Sequence, residues 1–187
     1  MKVAPPDLIT GKKIAIKRLQ PSDISRFYKL ITRNKEYILE SFPRLHESCK
    51  NWHDTDKYIA KSHLEWNQGK QFRYLLIKED VPEALGYISI KNLDWDIPKC
   101  EMGYFVDLHA EGQGIATEAL QLATGVSFEK LKLEKIFLRI LKGNLASKRV
   151  AEKNGFRLEG VLQREFKNKE GQLKDIWYFG KVRDMDR

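Results

Sequence analysis

The segment from Cys100 to Leu120 constrains this chain more than any other. Residues 100–106 (CEMGYFV) read as a strand, and the helical pattern that begins near Gln113 runs on to about Lys130. Between them lies a short loop carrying Gly112 and Gly114. A strand that enters a helix through glycines makes an anion site. Glycine lets the backbone turn sharply, and the first-turn N–H groups of the helix have no internal partner. The helix dipole adds its positive end at the same place, so a pyrophosphate is the natural occupant. The loop is neither a Walker loop, since no Gly-Lys-Ser/Thr follows, nor a Gly-x-Gly-x-x-Gly turn. Phosphoryl transfer from a nucleotide and dinucleotide binding therefore lose support.

The rest of the chain supplies a sheet and its covering helices. Residues 13–19 alternate as a strand, and Pro21-Ser22-Asp23 starts a helix with Ile24, Phe27, Leu30 and Ile31 at helical spacing. A short helix is expected around Glu36–Glu40, then a polar loop from Arg44 to Asp54. A further helix, capped by Asp54 or Thr55, carries Tyr58, Ile59, His63 and Trp66 and closes at Gly69. Strands follow at Phe72–Lys78, Ala84–Ile90 and Cys100–Val106. After the long helix come a strand at Lys135–Leu141, a helix over Leu145–Asn154, and a hairpin of strands Arg157–Phe166 and Leu173–Val182. The pattern is α+β: one domain over residues 1–187, with a mixed, mostly antiparallel seven-stranded sheet flanked by helices.

Composition narrows the function classes. Cys49 and Cys100 are too few for a disulfide scaffold, and the scattered histidines 46, 53, 63 and 109 show no metal-ligand spacing, so no metal is expected. No apolar run is long enough to span a bilayer, and the charged, proline-bearing start does not resemble a signal peptide, which points to the cytoplasm. The formal net charge of +8 favours anionic partners without naming one, and no nucleic-acid motif is present.

The loop and helix resemble the acyl-CoA-binding motif of the GNAT superfamily, usually Gln/Arg-x-x-Gly-x-Gly/Ala. Here it reads Glu111-Gly112-Gln113-Gly114-Ile115-Ala116, with Glu111 where Gln or Arg is usual. Downstream, Asn144, Ser147, Gly155, Phe156, Glu159 and Gly160 resemble the second half of a RimJ/RimL-type ribosomal-protein N-acetyltransferase. Glu101-Met102-Gly103-Tyr104 and the opening strand fit the same subgroup.

The resemblance implies a GNAT fold, acetyl-CoA as co-substrate, and direct attack of an amine on the bound thioester. It implies that the strand at residues 100–106 splays from Lys135–Leu141 and that pantetheine pairs with the edge near Phe105 and Val106. The phosphates would rest on Gly112, Gln113, Gly114, Ile115, Ala116 and Thr117. Asn144 would contact the cofactor and Ser147 would protonate the departing thiolate; the plainer reading of the same pair is a helix cap and its first turn. Glu101 is the candidate base, a salt-bridged strand carboxylate being its structural alternative.

The acceptor follows from proton affinity. Neutralising an α-amine at pH 7 costs about 1 kcal/mol, and a lysine about 4.6 kcal/mol. With weak acid–base groups in view, a protein N-terminus is the easier substrate, a ribosomal protein the one the resemblance suggests. The alternatives are a small amine (polyamine, aminoglycoside or amino acid) and a non-catalytic acyl-CoA sensor or ribosome-associated binding module. Residues 44–71 carry Glu47, Asp54, Asp56 and Glu65 against several lysines and histidines, which is not a clearly acidic pocket. Phe42, Trp52 and Trp66 are read as packing residues, and Trp95 as the candidate wall of an acceptor pocket. A monomer and a homodimer are both compatible with the sequence.

Overall fold

The computed structural model describes residues 4–183. The chain runs β1 (Leu8–Thr10), β2 (Ala15–Arg18), α1 (Ile24–Arg33), α2 (Lys35–Ser41), α3 (Pro43–Ser48), α4 (Trp52–Asn67), β3 (Phe72–Lys78), β4 (Val81–Asp94), β5 (Lys99–Val106), α5 (Ile115–Glu129), β6 (Lys135–Leu141), α6 (Leu145–Lys153), β7 (Arg157–Lys167) and β8 (Leu173–Val182). The strands form one sheet in the order β1-β2-β3-β4-β5-β6-β8-β7. Every neighbouring pair is antiparallel except β5–β6, which is parallel.

The centre of the sheet is buried on both faces, which explains why β3 reads as a continuous apolar run rather than an alternation. On one face Ile88, Ile90, Met102 and Tyr104 pack with Ala119, Leu120 and Ala123 of α5. On the other, Leu75, Tyr87 and Phe105 meet Phe27, Leu30 and Ile31 of α1 and Ile59 of α4. The period of two along β5 thus sends successive side chains into different cores.

Three sequence expectations change. Among the described residues the sheet has eight strands, not seven, because Leu8–Thr10 pairs with Ala15–Lys17. Three residues are too short for alternation to show. The expected loop from Arg44 to Asp54 begins instead with α3. Pro43 occupies its first turn, Leu45 is buried, and the Phe42 carbonyl accepts from the amides of Leu45 and His46. Helix α4 is capped by Asn51, whose Oδ1 accepts from Asp54 N at 2.9 Å, so Asp54 and Thr55 lie inside it.

The β5–β6 pairing gives the fold its functional shape. It is registered from Lys99–Lys135 to Met102–Leu138 and no further. β5 continues along β4 to Val106–Gly86, while β6 continues along β8 to Leu141–Ile176. Beyond Met102 the two strands diverge. Gly86 draws β4 tight onto β5, since a Cβ there would strike the Phe105 carbonyl and the Leu76 side chain.

Asp107 pins the end of β5. Its carboxylate accepts from Arg33 Nε at 2.6 Å, Asn34 Nδ2 at 3.1 Å and His109 N at 2.9 Å, and it is 2% exposed. Burial alone would raise its pKa, but the His109 amide, Asn34 and Arg33 outweigh burial and hold it below the ordinary value. A depressed carboxylate contributes stability above its unfolded pKa, near ~4, and loses it as pH falls through the folded value. Asp107→Ala should therefore cost about 3 kcal/mol at pH 7, because it leaves Arg33 unpaired. The difference from the parent should shrink toward pH 2 in urea titrations, and a gap that stays constant with pH would refute the ion-pair account.

Candidate active site

Where β5 and β6 part, β5 presents a free edge. Asp107 N donates to Leu85 O across the β4–β5 pair at 2.8 Å, and the register carries no bulge between residues 101 and 106. Backbone groups alternate sides along a strand, so the amides of Phe105 and Gly103 face β4, and those of Val106 and Tyr104 face the open side. Of the expected edge residues, Val106 therefore offers its amide to the cleft. Phe105 instead sends its side chain into the core, with ring centroids 5.7 Å from both Tyr87 and Phe42.

The strand leads directly into the glycine loop. Gly112 (φ +73°) and Gly114 (φ +80°) both adopt the left-handed conformation, and nothing lies within 4 Å of a Cβ built on Gly112. Gly114 is the N-cap of α5, which starts at Ile115 rather than Gln113. Its carbonyl accepts from Glu118 N at 3.1 Å, so the amides of Ile115, Ala116 and Thr117 are the orphan donors of the first turn. Ile115 is buried, which leaves its amide as its contribution. The Gln113 side chain turns back to the His109 carbonyl at 3.1 Å, and Glu111 is exposed. The arrangement fits a pyrophosphate held by backbone.

Across the cleft, Asn144 caps α6, its Oδ1 accepting from Ser147 N at 3.0 Å. Tyr104 donates its hydroxyl to the Ser147 carbonyl at 3.2 Å, tying β5 to α6 over the mouth of the divergence. Burial raises the Tyr104 pKa, so it stays a neutral phenol. Asn144 and Ser147 then open onto a groove of about 1240 Å³ between α2–α4 and the diverging strands. Glu101 lines the same groove, so the structure brings the two candidate catalytic residues to one wall system. Glu101 is 5% exposed, and both its oxygens are engaged, by Lys91 Nζ at 3.1 Å and Asn92 Nδ2 at 2.7 Å. Asn92 makes its contact from the left-handed region (φ +49°), at a register shift between Lys91 and Asp94.

Among the aromatics, Trp95 and Phe42 differ from expectation, while Trp52 and Trp66 are packing residues as read. Trp95 donates to the Gly69 carbonyl at 3.3 Å and packs on the core away from the groove, while Phe42 is among the aromatics that line it. Trp66 is buried edge-on against Phe72 and Tyr74, and Trp52 lies edge-on to Tyr28.

Sequence reasoning missed a buried polar cluster on the groove floor. The hydroxyls of Tyr58 and Tyr87 are 2.9 Å apart, and Arg73 packs on the Tyr58 ring while pairing with Glu65 at 2.6 Å. These residues come from α4, β3 and β4, so no local spacing announces them. Burial raises both tyrosine pKa values and pushes the Cys49 thiol up to about 12, which keeps all three neutral. Neither cysteine lines the groove. Among the described residues no three His, Cys, Asp or Glu side chains converge as a metal set, and no helix is long and apolar enough to cross a membrane.

The sequence and the fold resemble those of known proteins. Residues 13–157 match the family described as acetyltransferase (GNAT) domain. The chain is 29% identical over 161 residues to the ribosomal-protein-serine acetyltransferase of Escherichia coli (strain K12), covering 84% of this chain and 87% of that one. It is 22% identical to a spermidine N(1)-acetyltransferase of Vibrio cholerae, covering 83% and 86%. The fold is shared with a ribosomal L7/L12 alpha-N-protein acetyltransferase in complex with coenzyme A, at a TM-score of 0.87, 21% identity and coverage of 96% and 99%.

Asn144→Ala removes the α6 cap and should cost about 1 kcal/mol, with Asn144→Asp close to the parent. Thermal unfolding checks this, and an unchanged midpoint for the alanine variant would remove the capping role.

Proposed function

This chain belongs to the GNAT acetyltransferase family, and from that premise we propose that it moves the acetyl group of acetyl-CoA to the N-terminal α-amine of a cytoplasmic protein, with ribosomal proteins the first substrates to try. The observation that carries the reading is the open edge of β5, which borders the groove holding Ser147 and Glu101 at Gly103 and Tyr104 and runs on along the chain into the glycine loop and the α5 N-terminus.

Acetyl-CoA supplies an activated thioester; the chain supplies position and proton handling. The amides at Gly112–Thr117 hold the phosphates, and the Val106 side of β5 takes the pantetheine arm as an added strand. An edge amide there can polarise the thioester carbonyl. As the new N–C bond forms and the C–S bond breaks, Ser147 gives a proton to the leaving sulfur. The amine's surplus proton leaves by way of Glu101 through water, and Lys91 and Asn92 fix the direction of that carboxylate.

Charge in the groove supports a peptide acceptor over a polyamine. Its carboxylates Glu47, Glu65, Glu101 and Glu165 are paired with Lys50, Arg73, Lys91 and Arg139, while Asp54 is held by the Asn51 amide group. A polycation would find few unneutralised anions. The likeness to a spermidine acetyltransferase makes a small amine the second reading.

Release of CoA thiol across an acceptor panel tests both. Turnover with free Ser or Ala N-termini but not with spermidine, an aminoglycoside or blocked lysine peptides is the expected result, and turnover with small amines alone would refute it. Ser147→Ala should lower kcat about 10- to 100-fold, a modest effect because a serine hydroxyl is a poor acid, with CoA affinity retained. Unchanged kcat would remove Ser147 from the reaction.

A further inference from the structure

The motif position that usually carries Gln or Arg is Glu111 here, yet the structure places a cation at the loop by another route. The turn joining β1 to β2 is clamped onto α5. The Glu118 carboxylate, in the first turn of α5, accepts from the backbone amides of Lys12 and Lys13, at 2.9 Å and 3.2 Å for Lys13. Gly11 makes the approach sterically open, since a Cβ there would strike Glu118. The clamp uses a first-turn carboxylate on backbone donors and so directs its charge toward the β1–β2 turn. It also delivers the Lys13 side chain to the glycine loop. Lys13 Nζ donates to the Gln113 carbonyl at 3.0 Å and sits 3.3 Å from where a Cβ on Gly114 would be.

Lys13 has no carboxylate partner among the described residues, and a single carbonyl bond satisfies one of its three donors. Lys12, Arg33, Lys78 and His109 line the adjoining depression, against Glu83 and Asp107, and Asp107 is already paired with Arg33. An ammonium held at the N-terminus of a helix by a built contact, with donors left over, is suited to a second anionic ligand there.

We infer that Lys13 is a phosphate-binding residue of the acyl-CoA site, giving the pyrophosphate the cationic contact that Glu111 cannot. The inference rests on the acetyl-CoA reading and extends it to the β1–β2 turn, which lies outside the loop-helix motif. Glu118 acts on the ligand through Lys13 and is a positioning residue.

The test is isothermal titration of the full chain with CoA and with dephospho-CoA, which lacks the 3′-phosphate, at low and high salt. Lys13→Met should weaken both ligands about tenfold and by the same factor, with Lys13→Arg near the parent and the Tm of each variant unchanged. The loss should shrink as salt rises, because the contact is exposed. Equal affinity for parent and Lys13→Met would overturn the assignment. A penalty that disappears with dephospho-CoA would overturn it as well, by moving Lys13 to the 3′-phosphate. A loss insensitive to salt would make Lys13 a brace for the loop rather than a charge. Failure of the parent itself to bind CoA would instead sink the acetyl-CoA reading on which the inference stands.

Discussion

The rest of the structure depends on a pairing that stops. β5 and β6 are parallel and hydrogen-bonded only as far as Met102 and Leu138, after which each strand keeps its other neighbour. A buried strand edge without partners is costly in a folded domain, because each unpaired amide or carbonyl loses its water without replacement. The divergence therefore persists only where something polar and extended can occupy it, or where solvent reaches it through a groove. The groove gives solvent that access, and the open edge also suits a ligand with amide groups of its own, such as the pantetheine arm of CoA.

Around that gap, charged groups serve as fasteners for backbone. Asp107 ties the end of β5 to α1, and Glu118 ties the β1–β2 turn to α5. Asp107 accepts from the His109 amide and pairs with Arg33, whereas Glu118 accepts from the amides of Lys12 and Lys13 and leaves the Lys13 ammonium facing the glycine loop. Much of the net charge of +8 lies elsewhere, on solvated faces, but these few groups decide where positive potential meets the helix N-terminus. The neutral, buried tyrosines and cysteines take no part in that balance.

What was legible in the sequence follows from range. The glycine loop and α5 are local and show in the spacing, to within two residues at the helix start, while Asn144 and Ser147 stand out through the family resemblance, with a helix cap as their plainer reading. β6 was bounded correctly at Lys135–Leu141 because its alternation is intact. Helix α3 was missed because only Leu45 in it is buried, and a single apolar residue sets no period. The place of Trp95 in the connection between two strands suggests a pocket wall, yet its indole bonds the Gly69 carbonyl and Phe42 lies at the groove. The partners of Glu101 and the Arg73 cluster are long-range products of the sheet, which residue spacing does not encode.

Asn92 shows how narrow a choice such a site leaves. Its backbone is left-handed, which glycine, asparagine and aspartate tolerate best. Glycine would fit the backbone and offer no donor to Glu101; aspartate would set a second carboxylate against it. Leucine or valine would satisfy neither demand. Asparagine meets the torsional and the electrostatic requirement together, so the choice at this position is narrowed by a residue nine places away in the chain and directly beside it in space.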